Sequence, residues 1–235
     1  MRFNEAITVL AIGGGGGGGF GESGGGGSGY LKMWSLKEIP GTSINIKIGQ
    51  GGTSEKDGSD TIINSDLIAQ GGKRGTLDAG GDGGSAGGCF SLPYSPGGSG
   101  GTNGNDSTST FYSGNSLERK CMNGIGQQNW TLILKAFFRA SSSKVIPGAG
   151  GKSYIFTNQE GEIFKTAGGG GGGGIILVGK NLTKQAEFLK HGDYRSGTGG
   201  IGFGAGGGGG GDLKIAPIGK GQGGRGNAGI VIISE

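Results

Sequence analysis

Hydrophobic positions along the chain fall into short β-branched segments, and glycine-rich stretches separate them. Residues 6–12 are almost entirely apolar and end at glycine, which predicts a buried β-strand. Residues 43–48 alternate polar and apolar side chains, the pattern of a half-buried strand. Segments 154–157 and 162–165 flank a four-residue turn that ends in glycine, which predicts a β-hairpin. The remaining predicted elements are strands over residues 67–69, 131–138 and 230–233 and one short helix over residues 181–190.

The two apolar strands at the ends of this pattern enclose nearly all of the glycine. Pairing of residues 6–12 with residues 230–233 would join the ends of the pattern, so we predict a single glycine-rich domain over residues 1–235. Residues 73–126 consist mostly of small polar residues and glycine, which predicts long surface loops. Residues 128–166 carry a more ordinary strand pattern and are interpreted as a β-rich insertion in that domain.

Glycine supplies 65 of the 235 residues, and only 31% of the residues are hydrophobic, so a conventional apolar core would be thin. Collagen is excluded because its glycines recur at every third position, whereas these form uninterrupted runs. A flexible linker is the other usual interpretation of such a composition. The β-branched segments between the runs, which end at turn residues, favour an ordered protein instead.

Uninterrupted glycine can itself form a packed interior. An extended three-residue-per-turn helix of the polyproline-II type directs its backbone N–H and C=O groups outwards. Neighbouring helices can then hydrogen-bond one another, but only where no side chain separates them. Residues 13–19, 168–174 and 206–211 suit interior helices of this kind, whereas residues 80–88 and 97–101 suit peripheral ones. The scaffold glycines predicted from the three runs are Gly13, Gly16, Gly19, Gly168, Gly171, Gly174, Gly206 and Gly209.

Charge and cysteine content exclude several classes of partner. The net charge of +4 is spread along the chain without interleaved aromatic residues, which argues against nucleic-acid binding. No segment approaches the ~18 apolar residues that insertion across a membrane requires. The apolar run at residues 6–12 is short for a signal peptide, which predicts synthesis in a cytoplasm. Cys89 and Cys121 are too few for a metal site or a disulfide framework; two reduced thiols are expected, with one disulfide as the alternative.

Four segments carry a family resemblance, in this order along the chain: residues 7–13 (ITVLAIG), 40–52 (PGTSINIKIGQGG), 67–72 (LIAQGG) and 226–233 (GNAGIVII). They resemble the glycine-rich domain of phage tail-fibre adhesins and related viral and bacterial proteins. The resemblance implies a sandwich of polyglycine-II helices whose connecting loops contact the host surface. The expected fold is therefore mostly irregular and all-β, a polyglycine-II helix sandwich bracketed by short β-strands, with long surface loops.

Motifs that would indicate an enzyme lack the required pattern. Residues 148–153 resemble a phosphate-binding loop, but Ile146 stands where that motif needs glycine. His191 is the only histidine, and nothing marks any serine as its nucleophilic partner. Asp78 and Asp82 echo a calcium-binding glycine repeat that does not recur. The sequence predicts a non-enzymatic protein without a cofactor or a metal ion.

Recognition residues are expected among aromatic side chains on loops that a rigid scaffold holds. The candidates for receptor binding are Tyr94, Phe111, Tyr112 and Tyr194. The predicted function is that of a phage tail-tip adhesin, which recognises a host surface protein or glycan. The alternative is a structural minor capsid or spike-base protein with no receptor role. Both make the protein a virion component, produced in the host cytoplasm, with other virion proteins as partners.

Overall fold

The fold is largely β and irregular, in agreement with the predicted class at that level. The computed structural model describes residues 6–21, 23–37, 43–77, 79–89, 100–101, 104–107, 124–138, 145–147, 156–157, 163–164, 175–177, 199–200, 202–209 and 223–234. The strands are β1 (Ala6–Ile12), β2 (Leu31–Lys37), β3 (Ile46–Lys47), β4 (Thr61–Ile63), β5 (Leu67–Ala69), β6 (Val145–Pro147), β7 (Phe156–Thr157), β8 (Ile163–Phe164), β9 (Ile175–Leu177) and β10 (Ile230–Ser234), and the helix is α1 (Trp130–Phe138).

The first and last strands pair with each other, as the sequence predicts. β1 lies at the centre of a three-stranded antiparallel sheet in the order β10-β1-β2. Ile12 stands opposite Ile230 on one side and opposite Leu31 on the other. Since β1 leads directly into the glycine run at residues 13–19, this sheet fixes the direction in which that run leaves it.

Both faces of β1 are buried, which explains why the strand is almost uniformly apolar. One face packs against helix α1, in a cluster formed by Leu10, Ile12, Leu31, Trp130, Leu134 and Phe137. The opposite face packs against a second sheet, in a cluster formed by Ile7, Val9, Ala11, Ile63 and Ala69. The side-chain core is thus two thin layers on either side of a single strand.

The second sheet has the order β3-β4-β5. Asn64, Ser65 and Asp66 join β4 to β5, and the first two have φ values of 49° and 69°, the positive angles that tight hairpin turns need. The predicted strand over residues 43–48 is regular only at Ile46–Lys47. Ile46 and Ile48 are exposed, so the predicted half-burial of this segment is wrong for both.

Residues 131–138 form a helix, and the strand predicted there is wrong. Trp130, Ile133, Leu134 and Phe137 follow the three- and four-residue spacing of one helix face, and that face packs on the first sheet. The backbone C=O of Asn129 accepts hydrogen bonds from the N–H groups of Leu132 and Ile133 as the helix begins. The segment interpreted as a β-rich insertion therefore begins with a helix. The hairpin predicted within it is confirmed, because β7 pairs with β8.

Cys89 is disulfide-bonded, so the expectation of two reduced thiols is wrong for this residue. The only other cysteine in the chain is Cys121, which lies outside the described residues. Within the part of the chain that the structure describes, no helix has the length and apolar character needed to cross a bilayer.

Candidate recognition site

The run of glycines at residues 13–19, called the central tract below, forms neither a helix nor a strand in the hydrogen-bonding sense, yet every residue in it is buried. Its backbone N–H groups donate to neighbouring segments with a period of three. Gly13, Gly16 and Gly19 donate to Tyr30 O, Gly27 O and Gly24 O, at 3.3, 2.8 and 3.0 Å. N–H groups three residues apart along the tract thus donate to C=O groups three residues apart on one neighbouring segment that runs antiparallel to it.

The other two rows of donors behave in the same way. Gly14 and Gly17 donate to Ser59 O and Lys56 O, at 2.9 and 2.8 Å. Gly15 and Gly18 donate to Asn227 O and Gly224 O, each at 2.9 Å. Three neighbouring segments therefore accept all seven backbone N–H groups of the central tract.

The C=O groups of the central tract accept hydrogen bonds from three further segments. In the first segment, Gly52 N donates to Gly15 O and Glu55 N donates to Gly18 O. In the second, Gly72 N donates to Gly14 O and Gly75 N donates to Gly17 O. In the third, Gly207 N donates to Gly16 O, and all five distances are 2.8–3.0 Å. The tract is surrounded by backbone on all sides. These bonds remove the penalty that unpaired buried backbone groups would otherwise carry.

This packing leaves no room for side chains, which accounts for the absence of any other residue type. A Cβ atom added at any of the glycines from Gly13 to Gly18 would lie closer than 3.0 Å to a backbone atom of a neighbouring segment. Among the predicted scaffold glycines, Gly13, Gly16, Gly206 and Gly209 have this backbone environment, and Gly19 meets the side chain of Ser23. Gly168, Gly171 and Gly174 lie outside the described residues.

The segment that follows, residues 24–30, is built in the same way. Gly24, Gly27 and Tyr30 donate to Thr76 O, Lys73 O and Gln70 O, again three residues apart on one antiparallel neighbour. Its Ser28, with a fully buried side chain, accepts a 2.7 Å hydrogen bond from Ser85 N through Oγ. A small polar side chain can thus replace glycine where its oxygen finds a backbone partner.

Three turns meet at the end of the central tract that points away from the first sheet. One follows the tract itself at residues 20–21, with Gly21 at φ 68°. Another covers residues 53–56, where Glu55 N donates to Gly18 O and Lys56 N donates to Thr53 O. The third begins at residues 74–77, where Gly24 N donates to Thr76 O. We call these three segments, 20–21, 53–56 and 74–77, the apex.

Two large apolar side chains are exposed at the apex. Phe20 is 41% exposed and Leu77 is 45% exposed. The side chains of Glu55, Lys56 and Arg74, in the same turns, are also exposed. The guanidinium of Arg74 donates from Nη1 to Glu55 O at 2.9 Å and ties two of the turns together. The apex thus presents both large apolar and charged side chains to solvent.

An ion pair stands beside the apex. Asp57 Oδ2 accepts a 2.9 Å hydrogen bond from Lys73 Nζ, and Asp57 Oδ1 accepts one of 2.9 Å from Arg74 N. Partial burial by itself would raise the pKa of Asp57, but the Arg74 N–H and the Lys73 ammonium outweigh it and hold the pKa below the usual 3.8. The same pairing raises the pKa of Lys73 above 10.5.

We expect Asp57→Asn to lower the free energy of unfolding by less than about 1 kcal/mol near neutral pH, because exposed ion pairs contribute little. The Asp57 contribution is present above its unfolded-state pKa of 3.8 and is lost as the pH falls through the lower folded-state pKa. The Lys73 contribution is present below 10.5 and is lost as the pH rises through the higher folded-state pKa. Urea unfolding at a series of pH values measures the difference.

The difference between wild type and Asp57→Asn should be steady between about pH 5 and 9 and should shrink as the pH falls below 3.8, through the lower folded-state pKa of Asp57. Asp66→Asn removes the same charge from an exposed position in the turn between β4 and β5 and serves as the control. A difference that persisted undiminished at pH 2 would show that the carboxylate charge is not what stabilises the pair.

The predicted receptor-binding residues Tyr94, Phe111, Tyr112 and Tyr194 lie outside the described residues. Sequence reasoning missed Phe20 and Leu77, which the structure places at the apex. Phe20 did carry a signal, because it is the first side chain after seven consecutive glycines. Among the described residues, no group of three or more His, Cys, Asp or Glu side chains lies close enough together to hold a metal ion.

Comparison with known proteins identifies one family. The model of a family described as a glycine-rich domain matches residues 3–234, nearly the whole chain. Neither a curated protein nor a solved structure matches the chain.

Proposed function

The chain belongs to the glycine-rich domain family, and from this premise we propose that it is a non-enzymatic recognition protein of a virion, of the phage tail-tip adhesin type. Its glycine tracts form a polyglycine-II sandwich, and the apex of that sandwich contacts a host surface protein or glycan. The exposure of the large apolar side chains of Phe20 and Leu77, on turns attached to the hydrogen-bonded glycine framework, is the observation that carries the proposal.

Three features of the central tract support the polyglycine-II geometry. Hydrogen-bond partners recur every three residues, the period of this helix. Segments on all sides of the tract share its N–H and C=O groups, as expected for helices packed side by side rather than for a β-sheet. A Cβ atom would overlap neighbouring backbone at each of the first six tract positions, which is the reason collagen also requires glycine at its axis.

The framework suits recognition because it reduces the cost of binding. A flexible loop loses conformational entropy when it binds, whereas a loop already fixed by its scaffold loses less. The turn at residues 53–56 is fixed by the hydrogen bonds from Glu55 N and Ser54 Oγ to Gly18 O, at 2.9 and 3.4 Å. At protein interfaces a few residues near the centre, fully desolvated by the partner, contribute most of the binding energy.

Purified protein binding to intact host cells tests the proposal. We expect Phe20→Ala and Leu77→Ala together to weaken binding by about a thousandfold, since anchor residues typically contribute at least ~2 kcal/mol each. Both side chains are exposed, so the free energy of unfolding should change little. Ile125→Ala, which removes an apolar side chain that is 64% exposed and lies outside the three apex segments, should bind like wild type.

Two results would contradict the proposal. Equal binding by the double variant and by wild type would exclude the apex as the contact. Wild-type protein that binds other virion proteins but not cells would favour a structural minor capsid or spike-base role instead. Electron microscopy of particles carrying a labelled antibody then places the protein at the tail tip or on the shell.

A further inference from the structure

Among the described residues, the outer edge of β2 has backbone groups without a hydrogen-bond partner. In an antiparallel pair, alternate residues direct N–H and C=O towards the partner strand. Leu31 directs both groups away from β1, because both bind a side chain on the far side. Because the register between the two strands is continuous, the backbone N–H and C=O groups of Met33, Ser35 and Lys37 also point away from β1. Among the described residues, none hydrogen-bonds to the outward backbone groups of these three.

A side-chain amide already occupies the first position of this edge in the manner of a neighbouring strand. Gln127 Oε1 accepts a 2.8 Å hydrogen bond from Leu31 N, and Gln127 Nε2 donates one of 2.7 Å to Leu31 O. One amide group thus makes both bonds that an antiparallel strand residue would make. The next three outward positions present the same donor and acceptor pairs, so the edge is shaped for an extended peptide.

We propose that a second copy of this chain pairs with the outer edge of β2, strand against strand, to form a two-fold dimer with a continuous six-stranded sheet. The register that places Ser35 opposite Ser35 of the second copy aligns all the outward groups. It sets Met33 opposite Lys37 of the second copy and Lys37 opposite Met33 of the second copy. Each of these three residue pairs exchanges two backbone hydrogen bonds, so six form in all. A two-fold axis makes this interface isologous, the commonest kind in soluble oligomers.

The side chains of β2 fit this register. On the face that points to the second sheet, Trp34 stands opposite Leu36 of the second copy, and such aromatic–aliphatic cross-strand pairs are favourable. On the other face, Lys37 stands opposite Met33 of the second copy, so no two lysines are directly paired. Lys37 also lies diagonal to Lys32 of the second copy, but these two residues are on opposite faces of the sheet, because side chains alternate along a strand.

β10, at the other edge of the same sheet, is a poorer site for pairing. Only Val231 and Ile233 direct their backbone groups outwards there, by the same alternation. The longer open edge of β2 therefore favours the pairing proposed. An axis perpendicular to the sheet reverses the strand direction, so the two apexes of the dimer point in opposite directions.

Sedimentation of the full chain over a range of concentrations tests the dimer. Wild type should dimerise reversibly, with sedimentation that depends on concentration. Ser35→Pro removes the two central ladder hydrogen bonds, one from each copy, and should weaken the dimer by about tenfold or more. Since the Ser35 N–H faces outwards, proline is tolerated there in the monomer, and thermal unfolding checks this. Ile233→Pro makes the same change on the β10 edge and should leave dimerisation unchanged.

A cysteine introduced on the axis gives an independent readout. Directly opposite residues of a hydrogen-bonded pair have Cα atoms about 5.5 Å apart, within the range of a disulfide. Ser35→Cys should therefore form a covalent dimer under mild oxidation, whereas Met33→Cys, which stands opposite Lys37 of the second copy, should not. Wild type that stays monomeric up to about 1 mM, the weak end of specific affinity, would overturn the proposal. So would a dimer that Ser35→Pro leaves intact and Ile233→Pro disrupts. Neither result would affect binding through the apex.

Discussion

Replacing Gly15 or Gly17 by alanine should unfold the protein or lower its free energy of unfolding by about 3 kcal/mol or more. The added Cβ would overlap the C=O of Ala205 at the first position and the C=O of Thr53 at the second. The neighbouring segment is backbone that cannot rotate away, so it must move. Moving it strains the other bonds of the tract, including Gly15 N to Asn227 O at 2.9 Å.

Gly199→Ala is the matched control. At this position the nearest atom to an added Cβ would be Gly206 O at 3.3 Å, a contact that a small shift relieves. Where the backbone tolerates alanine, the substitution stabilises a protein by about 0.4–1 kcal/mol, because the unfolded chain loses freedom. Urea unfolding compares the three variants. Equal small effects at all three positions would mean that the central tract is not tightly packed.

Replacing Trp130 by alanine should lower the free energy of unfolding by about 3–5 kcal/mol. Its side chain is fully buried in the cluster that joins helix α1 to the first sheet. The indole also lies against Gly84 and Gly104, where an added Cβ would come within 3.0 Å of the ring. One side chain thus joins the helix, the sheet and the glycine framework.

Leu132→Ala removes a comparable apolar group from the same helix and should change stability by less than about 0.5 kcal/mol, since Leu132 is 64% exposed. Trp130→Phe, which keeps the apolar ring but not the indole N–H that donates to Gln127 Oε1 at 3.4 Å, should lie between the two. Thermal and urea unfolding measure the series. Similar stability for Trp130→Ala and Leu132→Ala would contradict the packing of the helix on the sheet.

Strands and their pairing could be predicted where side chains carry a pattern. The uniform apolar character of residues 6–12 predicts a strand covered on both faces, and the matching segment at residues 230–233 predicts its partner. The hairpin at β7 and β8 follows from turn residues between two apolar segments. Residues 131–138 misled this reasoning because nearly every position is apolar. A dense apolar segment fits a strand and a helix alike, and a segment of this length is still within the usual range of a strand.

The arrangement around the glycine tracts could not be predicted, since identical residues carry no information about register. Nothing in the sequence shows that Gly14 bonds to Ser59 and Gly15 to Asn227. Any extended segment with three residues per turn could accept the same hydrogen bonds. Some neighbours of the central tract, such as Lys56, carry long side chains that point to solvent, so their role is invisible in the composition. The exposure of Phe20 and Leu77 likewise depends on where three distant turns meet.

Hydrogen exchange of the glycine amides tests the central claim most directly. If the central tract is a hydrogen-bonded interior, the N–H groups of Gly14 to Gly18 should exchange as slowly as those of Leu10 and Ile12 in β1 and should be released only by global unfolding. Exchange of the tract at the rate of a free peptide, while β1 stays protected, would mean that glycine is a linker here and would contradict the account.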